Sequence, residues 1–419
     1  LNRTFGTPTN NKKYTYSTWV KRLDSEYNVL FNAGSSRDCL RFRGDNDRLH
    51  FFTGEATSAG LATNRVFRDP SAFYHIVLAV DTTQGTDTNR VKIYVNGVQE
   101  TSFAVTNYPA QNYTNVINSA VVHRIAHASN SYDEYFAGYM AETVFIDGTQ
   151  LAPTSFGQFN GDSGVWQPID VSGLTFGNNG FYLDFEDSSA LGNDAAGSNN
   201  WTTNNLTAID QTTDSPTNNF ATLNSIDNGY GTILFTEGNT RGEGSGSGWK
   251  PARGSMGVSS GKWYWEMNMT GSNQMGVSNE TIDMDNDNSQ DLVGVTVFYN
   301  ASGGVIRTDG SQVGGTTATF AADGSDIAGY ALDMDNKKLS IYKNGSIIVT
   351  NTALSTSITD FALPFFCVNG GGTWSVNFGN PSVALSSAVA DGNGYGAFEY
   401  EPPSGYLALC TANLSEELS

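Results

Sequence analysis

Short runs that alternate apolar with polar side chains, each closed within a few residues by Gly, Asn, Asp or Pro, recur along most of this chain. A period of two turns one face of each run toward a core and the other toward solvent, so the pattern predicts antiparallel strands and not amphipathic helices. In the first part the runs are Tyr14 to Lys21, Asn28 to Phe31, Leu40 to Arg43, Leu49 to Phe52, Tyr74 to Val80 and Arg90 to Val95. Two more follow at Phe136 to Ile146 and Gly180 to Phe185. Asn96-Gly97, directly after VKIYV, predicts a type I′ hairpin, because both central positions of that turn need positive φ. A second strand-rich stretch includes GKWYWEMNM, LVGVTVFY, IAGYALDMD, KLSIYKNGSIIVT, ALPFFCVN and TWSVNFG, with Asn344-Gly345 as another hairpin.

A chain of 419 residues exceeds what one sandwich core organises, so the expected fold class is all-β, with two tandem antiparallel β-sandwiches (jelly rolls). The expected divisions are a first sandwich at 1–186, a linker at 187–228 where alternation gives way to Asn, Thr, Ser and Asp, and a second sandwich at 229–385. A C-terminal extension at 386–419 is expected to lead to a further segment, and the start at Leu1 in place of Met predicts that the sequence is part of a longer chain. The two stretches share no fixed period, which excludes a repeat array.

A net charge of −20 argues against nucleic acid as a partner, since the surface repels phosphate backbones and offers no basic stripe. No apolar run is long enough to insert in a bilayer as a helix. Cys39, Cys367 and Cys410 are odd in number and lack CxxC spacing, so they predict buried thiols, not a disulfide frame or zinc ribbon.

Tyr74 to Glu100 (YHIVLAVDTTQGTDTNRVKIYVNGVQE) and Phe136 to Pro153 (FAGYMAETVFIDGTQLAP) resemble the laminin G-like branch of the concanavalin A-like lectin/glucanase superfamily. Gly257 to Met269, Gln274 to Asn279, Ile327 to Gly345 and Leu363 to Asn369 resemble successive strands of a SPRY domain, which implies the same concanavalin A-like architecture in both sandwiches. The succession of these two blocks, joined through DSPTNNFATLN and ending in PPSGYLALCTANLSE, is similar to virion-associated proteins of tailed bacteriophages. That resemblance implies a non-enzymatic structural protein of an extracellular virion particle, a tail or head fibre or appendage whose lectin-like domains bind the host surface. The partners it implies are other virion proteins, further copies of the chain in a homo-oligomer such as a trimer, and a host-surface glycan or protein. The alternatives are a purely architectural capsid-decoration or fibre-shaft protein and a glycan hydrolase.

Hydrolases of this architecture carry paired carboxylates on one strand, close enough to straddle a glycosidic bond. Asp184-Phe185-Glu186 is the nearest approach. Alternation puts both carboxylates on one face, but Tyr182 stands where a leading Glu is needed, and Glu134 and Glu142 are too far away in sequence to supply it. No catalytic residue is therefore assigned. His123 and His127 in HRIAH lack the Glu of a zinc protease helix, Arg124 standing in its place, and predict ordinary histidines. The glycine-rich Gly242 to Gly248 is followed by Trp249-Lys250 and predicts a flexible loop, not a phosphate cradle. Trp263 and Trp265 alternate along one strand and should share a core face, with Tyr264 opposite. Asp283, Asp285, Asp287 and Asp291 place carboxylates at close spacing in one loop, a pattern that suits Ca²⁺, the one candidate cofactor. Asn288 stands where the turn Gly of a calcium loop belongs, and Gly294 where its bidentate Glu belongs, so a solvated acidic turn is the competing reading.

Overall fold

The structure, a computed structural model, describes residues 1–34, 38–53, 60–128, 134–161, 163–229, 232–285, 292–300, 304–313 and 319–417. The chain divides into two compact units, Leu1–Gln211 and Thr212–Ser419, each an antiparallel β-sandwich.

In the first unit a seven-stranded sheet runs in the order Asn2–Thr4, Val122–Ile125, Asn28–Ala33, Cys39–Phe42, Arg48–Phe52, Gly60–Val66, Phe103–Asn107. It faces a six-stranded sheet ordered Phe181–Leu183, Gly138–Asp147, Lys13–Arg22, Tyr74–Asp81, Val91–Val95, Val98–Gln99. Alternation decides the packing. Phe31, Leu40, Phe42, Leu49 and Phe51 from one sheet meet Tyr14, Tyr16, Ile76, Leu78 and Ile93 from the other in a single buried cluster. A hairpin of Gly157–Phe159 and Trp166–Pro168 helps cover the outer face of the six-stranded sheet, where Val77, Val144, Ile146, Phe156 and Val171 form a second, smaller apolar layer.

The second unit repeats the arrangement with different strands. One sheet is ordered Leu223–Asn228, Trp249–Gly254, Leu363–Asn369, Asn273–Ser278, Val295–Tyr299, Val305–Thr308, Ser311–Gln312. The other is ordered Thr232–Thr236, Arg241–Ser245, Thr373–Asn377, Lys262–Thr270, Asp323–Asp333, Lys338–Lys343, Ser346–Ala353. Trp263, Trp265, Met267 and Tyr330 pack into the core against Met275, Phe298 and Phe366, while Tyr264 joins Phe220, Phe398 and Cys410 on the opposite face. The two tryptophans thus share the core face that alternation assigns them.

Three expectations are corrected. The stretch 187–228 is not a linker, because Trp201 is built into the first core and Ala221 and Leu223 into the second. Nor does 386–419 stand apart: Leu407–Ala408 pairs in parallel with Lys262–Thr270, Leu409 enters the core, and Thr411–Glu417 is a short helix in a chain read as having none. Gly242 to Gly248 is not a free loop, since Arg241–Ser245 is a strand. Gly242 is required there, because a Cβ would lie 2.6 Å from the ring of Trp374 packed on it. The glycine run hid a strand whose partner is an indole.

Candidate functional site

All three cysteines are free and buried, as their spacing predicts. His123 is fully buried and stacked on Phe5 at 3.6 Å between ring centroids. Its Nδ1 lies 3.0 Å from the Val121 carbonyl and its Nε2 accepts from the Asn118 amide at 3.1 Å, which fixes the neutral tautomer, and burial pushes its pKa down to about 3. His127 stacks instead on Tyr135, so the two rings of HRIAH serve different neighbours and form no metal pair.

A Ser–His contact that the sequence did not reveal lies across two strands of the six-stranded sheet. Ser17 Oγ is 2.8 Å from His75 Nε2, and Trp166 Nε1 donates to His75 Nδ1 at 2.9 Å. An indole N–H only donates, so Nδ1 is the acceptor and the imidazole proton sits on Nε2, pointing at Ser17. A histidine in that tautomer cannot take the serine proton. With both side chains fully buried and His75 held down at about pKa 3 by burial, the pair is a structural hydrogen bond and not a nucleophile with its base.

The carboxylates are placed differently from the sequence reading. Phe185 sits at φ 60°, so the strand ends at Leu183 and the alternation that put Asp184 and Glu186 on one face fails. Asp184 instead accepts the Glu186 amide at 3.2 Å in a tight turn. Glu142, set aside as too distant, is brought in by sheet pairing, since Val144 lies opposite Tyr182. Glu142 occupies a β-bulge at φ 48° and accepts a hydrogen bond from the Tyr182 hydroxyl. Burial raises its pKa, the charges of Asp184 and Glu186 raise it further, and the Tyr182 bond opposes them.

Of the acidic run, Asp283 and Asp285 are exposed and joined by a 3.1 Å bond from the Asp285 amide to the Asp283 carboxylate; Asp287 and Asp291 lie outside the described residues. No three metal-ligating side chains converge among the described residues. At Gly246 to Gly248 the backbone carbonyls converge on a cation of the chain itself. Lys250 Nζ donates to Ser247 and Gly248 at 3.0 Å each, so the loop closes on an ammonium and offers no amide cradle to phosphate.

A group of polar and aromatic side chains lies on the outer face of the seven-stranded sheet in residues 1–211. Leu40, Phe42, Leu49 and Phe51 point inward, so Cys39, Arg41, His50 and Phe52 point out, with Arg41 and His50 directly opposite each other. The Arg41 guanidinium lies over two rings, Tyr27 at 5.1 Å and Phe52 at 5.0 Å, and pairs with Glu134. Arg43 donates to Asp45 at 2.8 Å and to the Tyr27 hydroxyl at 3.3 Å. His50, 5.3 Å from Phe52 between centroids, has its pKa lowered to about 4 by burial first, then by Arg43 and Arg41. The sequence signal was present, as RFR and LHFF on adjacent predicted strands, but only the register shows that the cations meet aromatic rings.

Residues 3–151 match the Laminin_G_3 family of the concanavalin A-like lectin/glucanases superfamily. No curated protein matches the chain. Among solved structures, the SPRY domain of human HERC1 is similar at 20% identity and TM-score 0.31, over 37% of this chain and 96% of that one. Stonustoxin is similar at 16% and 0.31, over 38% and 27%, and the PSpry domain of TRIM65 at 13% and 0.31, over 38% and 88%. This nearly all-β chain therefore carries a concanavalin A-like domain over residues 3–151.

Proposed function

We propose that this chain is a non-enzymatic binding module of an extracellular appendage, and that the outer face of the seven-stranded sheet in residues 1–211 holds a surface glycan. The observation that carries the reading is Arg41, clasped between Tyr27 and Phe52 beside His50. Aromatic planes and fixed hydrogen-bonding groups on rigid strands are what recognition of a sugar ring requires. The order of a laminin G-like block before a SPRY-like block supports placing the appendage on a tailed-bacteriophage virion, as a homo-oligomer that meets a host surface. Purified protein should bind glycans on an array and compete with virions for host cells. Arg41→Ala should weaken that binding at least about tenfold, the loss expected for one well-placed contact. An Arg41→Ala protein that stays folded and binds as before would remove this face from the function.

A second reading, glycoside hydrolysis, is favoured by one observation: Glu142, with its raised pKa and its bond from Tyr182, has the character of a proton donor. It would require release of reducing sugar that disappears in Glu142→Gln.

A further inference from the structure

Most edges of the four large sheets are closed against a further strand. Asn2 exchanges backbone bonds with Thr202, and the Tyr182 amide and carbonyl are taken by the Asp194 carboxylate and the Ala195 amide. Val98–Gln99 and Ser311–Gln312 are only two residues long, and Phe103–Asn107, Leu223–Asn228 and Ser346–Ala353 each break register against their neighbour. Short, bulged or covered edges are how sheets avoid pairing with another chain. Thr232–Thr236 is the exception among the described residues. It is an outermost strand, runs in unbroken register along Arg241–Ser245, and its sequence TILFT holds no charge, proline or glycine.

The ladder decides which backbone groups of that strand are open. The Gly244 amide donates to Gly372 and the Val376 amide to Thr240, so Gly242 and Gly244 direct their backbone groups toward Thr373–Asn377. Arg241, Glu243 and Ser245 direct theirs the other way, onto Thr236, Leu234 and Thr232. Ile233 and Phe235 therefore turn their N–H and C=O groups outward, and these meet no backbone partner among the described residues. Their side chains pack into the core, whereas Leu234 stands on the outer face and is 59% exposed. Leu223–Asn228, just before this strand in the chain and the edge of the facing sheet, exposes Ile226 to a similar degree.

We infer that Thr232–Thr236 pairs antiparallel with the same strand of a second copy of this chain, about a two-fold axis at Leu234. In that register each Ile233 lies opposite Phe235 of the other copy and exchanges two bonds with it, which satisfies every outward group of both strands. Leu234 meets the Leu234 of the other copy at the closer, non-hydrogen-bonded position, and Thr232 meets Thr236, an uncharged pair suited to strands. The occupant is a copy because the donors, acceptors, apolar and hydroxyl groups of this strand repeat under the two-fold. Two chains of net charge −20 also meet at least cost where charge is locally absent, as it is along these five residues. The inference rests on the homo-oligomer in the proposed function and adds its contact; it does not depend on the glycan reading.

Sedimentation equilibrium of the full chain tests it, and the expected species is a dimer whose share grows with concentration. Leu234→Lys sets two ammonium groups face to face on the axis and should raise the dimer dissociation constant at least about tenfold. The variant should stay folded by circular dichroism, because the side chain is exposed. Leu234→Cys reads the register directly. Residues opposed at a non-hydrogen-bonded position lie about 4.5 Å apart at Cα, within the span of a disulfide, so mild oxidation should link two copies. Thr236→Cys, whose counterpart stands at the far end of the pairing, should not link, and the three native cysteines are buried. A monomer at every concentration would overturn both the inference and the homo-oligomer. An assembly that Leu234→Lys leaves intact, one in which the two cysteine variants link equally, or one of odd order would overturn the inference alone.

Discussion

Buried imidazoles make the first unit sensitive to acid. All four histidines lie in residues 1–211, and three are held neutral in the fold, His75 and His123 at about 3 and His50 at about 4. In the unfolded chain each protonates near 6.5, so below that pH the unfolded state takes up protons the folded state refuses. The stability they allow is complete above about pH 6.5 and is lost as pH falls toward 4, at up to about 1.4 kcal/mol per histidine per pH unit. Residues 212–419 contain no histidine, and the buried Glu266 there has a raised pKa, which acts in the opposite direction. Urea denaturation from pH 7 to 5 should therefore show the first unit losing stability and the second holding; equal losses would contradict the assignment. At the same scale, Trp166→Phe removes the indole donor to His75 Nδ1 and should cost the first unit about 1–3 kcal/mol in the same assay. Ser17 should remain unlabelled by a serine-reactive phosphonate in both proteins.

The two hairpins predicted from Asn-Gly show how far an element can be read from its own residues. Asn96 and Asn344 both sit at φ 48°, followed by Gly97 at 79° and Gly345 at 76°. Beyond the turn, each asparagine side chain accepts the amide of a neighbouring strand at 2.8 Å, from His75 in one unit and Ile327 in the other. Asn96→Ala and Asn344→Ala should each destabilise their own unit by about 1–2 kcal/mol, since a residue that tolerates the left-handed position and the acceptor on its side chain are lost together. Thermal melts of the separate units measure this. Such turns and the strands with clean alternation were legible because the determining contacts are local. Gly60–Val66 and Arg241–Ser245 were not, because their strand character comes from partners: the first pairs on both sides, with Arg48–Phe52 and Phe103–Asn107, and the second packs Gly242 under Trp374. The same limit governs the sites. Arg41 and His50 were visible as residues but their meeting is a matter of register. Glu142 reached Tyr182 only through a bulge, and alternation failed at Phe185 because a single left-handed residue turns the chain.

At the scale of the whole molecule, the polar stretch between the sandwiches is where sequence and fold part most clearly. Trp201 is 4% exposed and packs edge-on against Phe181 at 4.9 Å, so a fragment ending at 186 exposes the core it should close. Residues 1–211 and 212–419, expressed separately, should each unfold cooperatively, whereas 1–186 should be several kcal/mol less stable than 1–211, the cost of losing a buried aromatic. Circular dichroism melts of the three fragments check this. The second unit is also fastened at its own ends: Phe220 bridges Cys410, the Ala221 amide donates to Leu409 at 3.0 Å, and the Thr411 amide donates to Asn219 at 2.9 Å. Asn219 and Thr411 stand at the same end of this antiparallel clasp. Tension pulling the flanking chain in opposite directions therefore loads those bonds one after another, as in a zip, and not all together, as in a lap joint. The clasp yields at low force and lengthens by a few residues on each side before any strand of the sandwich carries load, which makes it a mechanical fuse in front of the core.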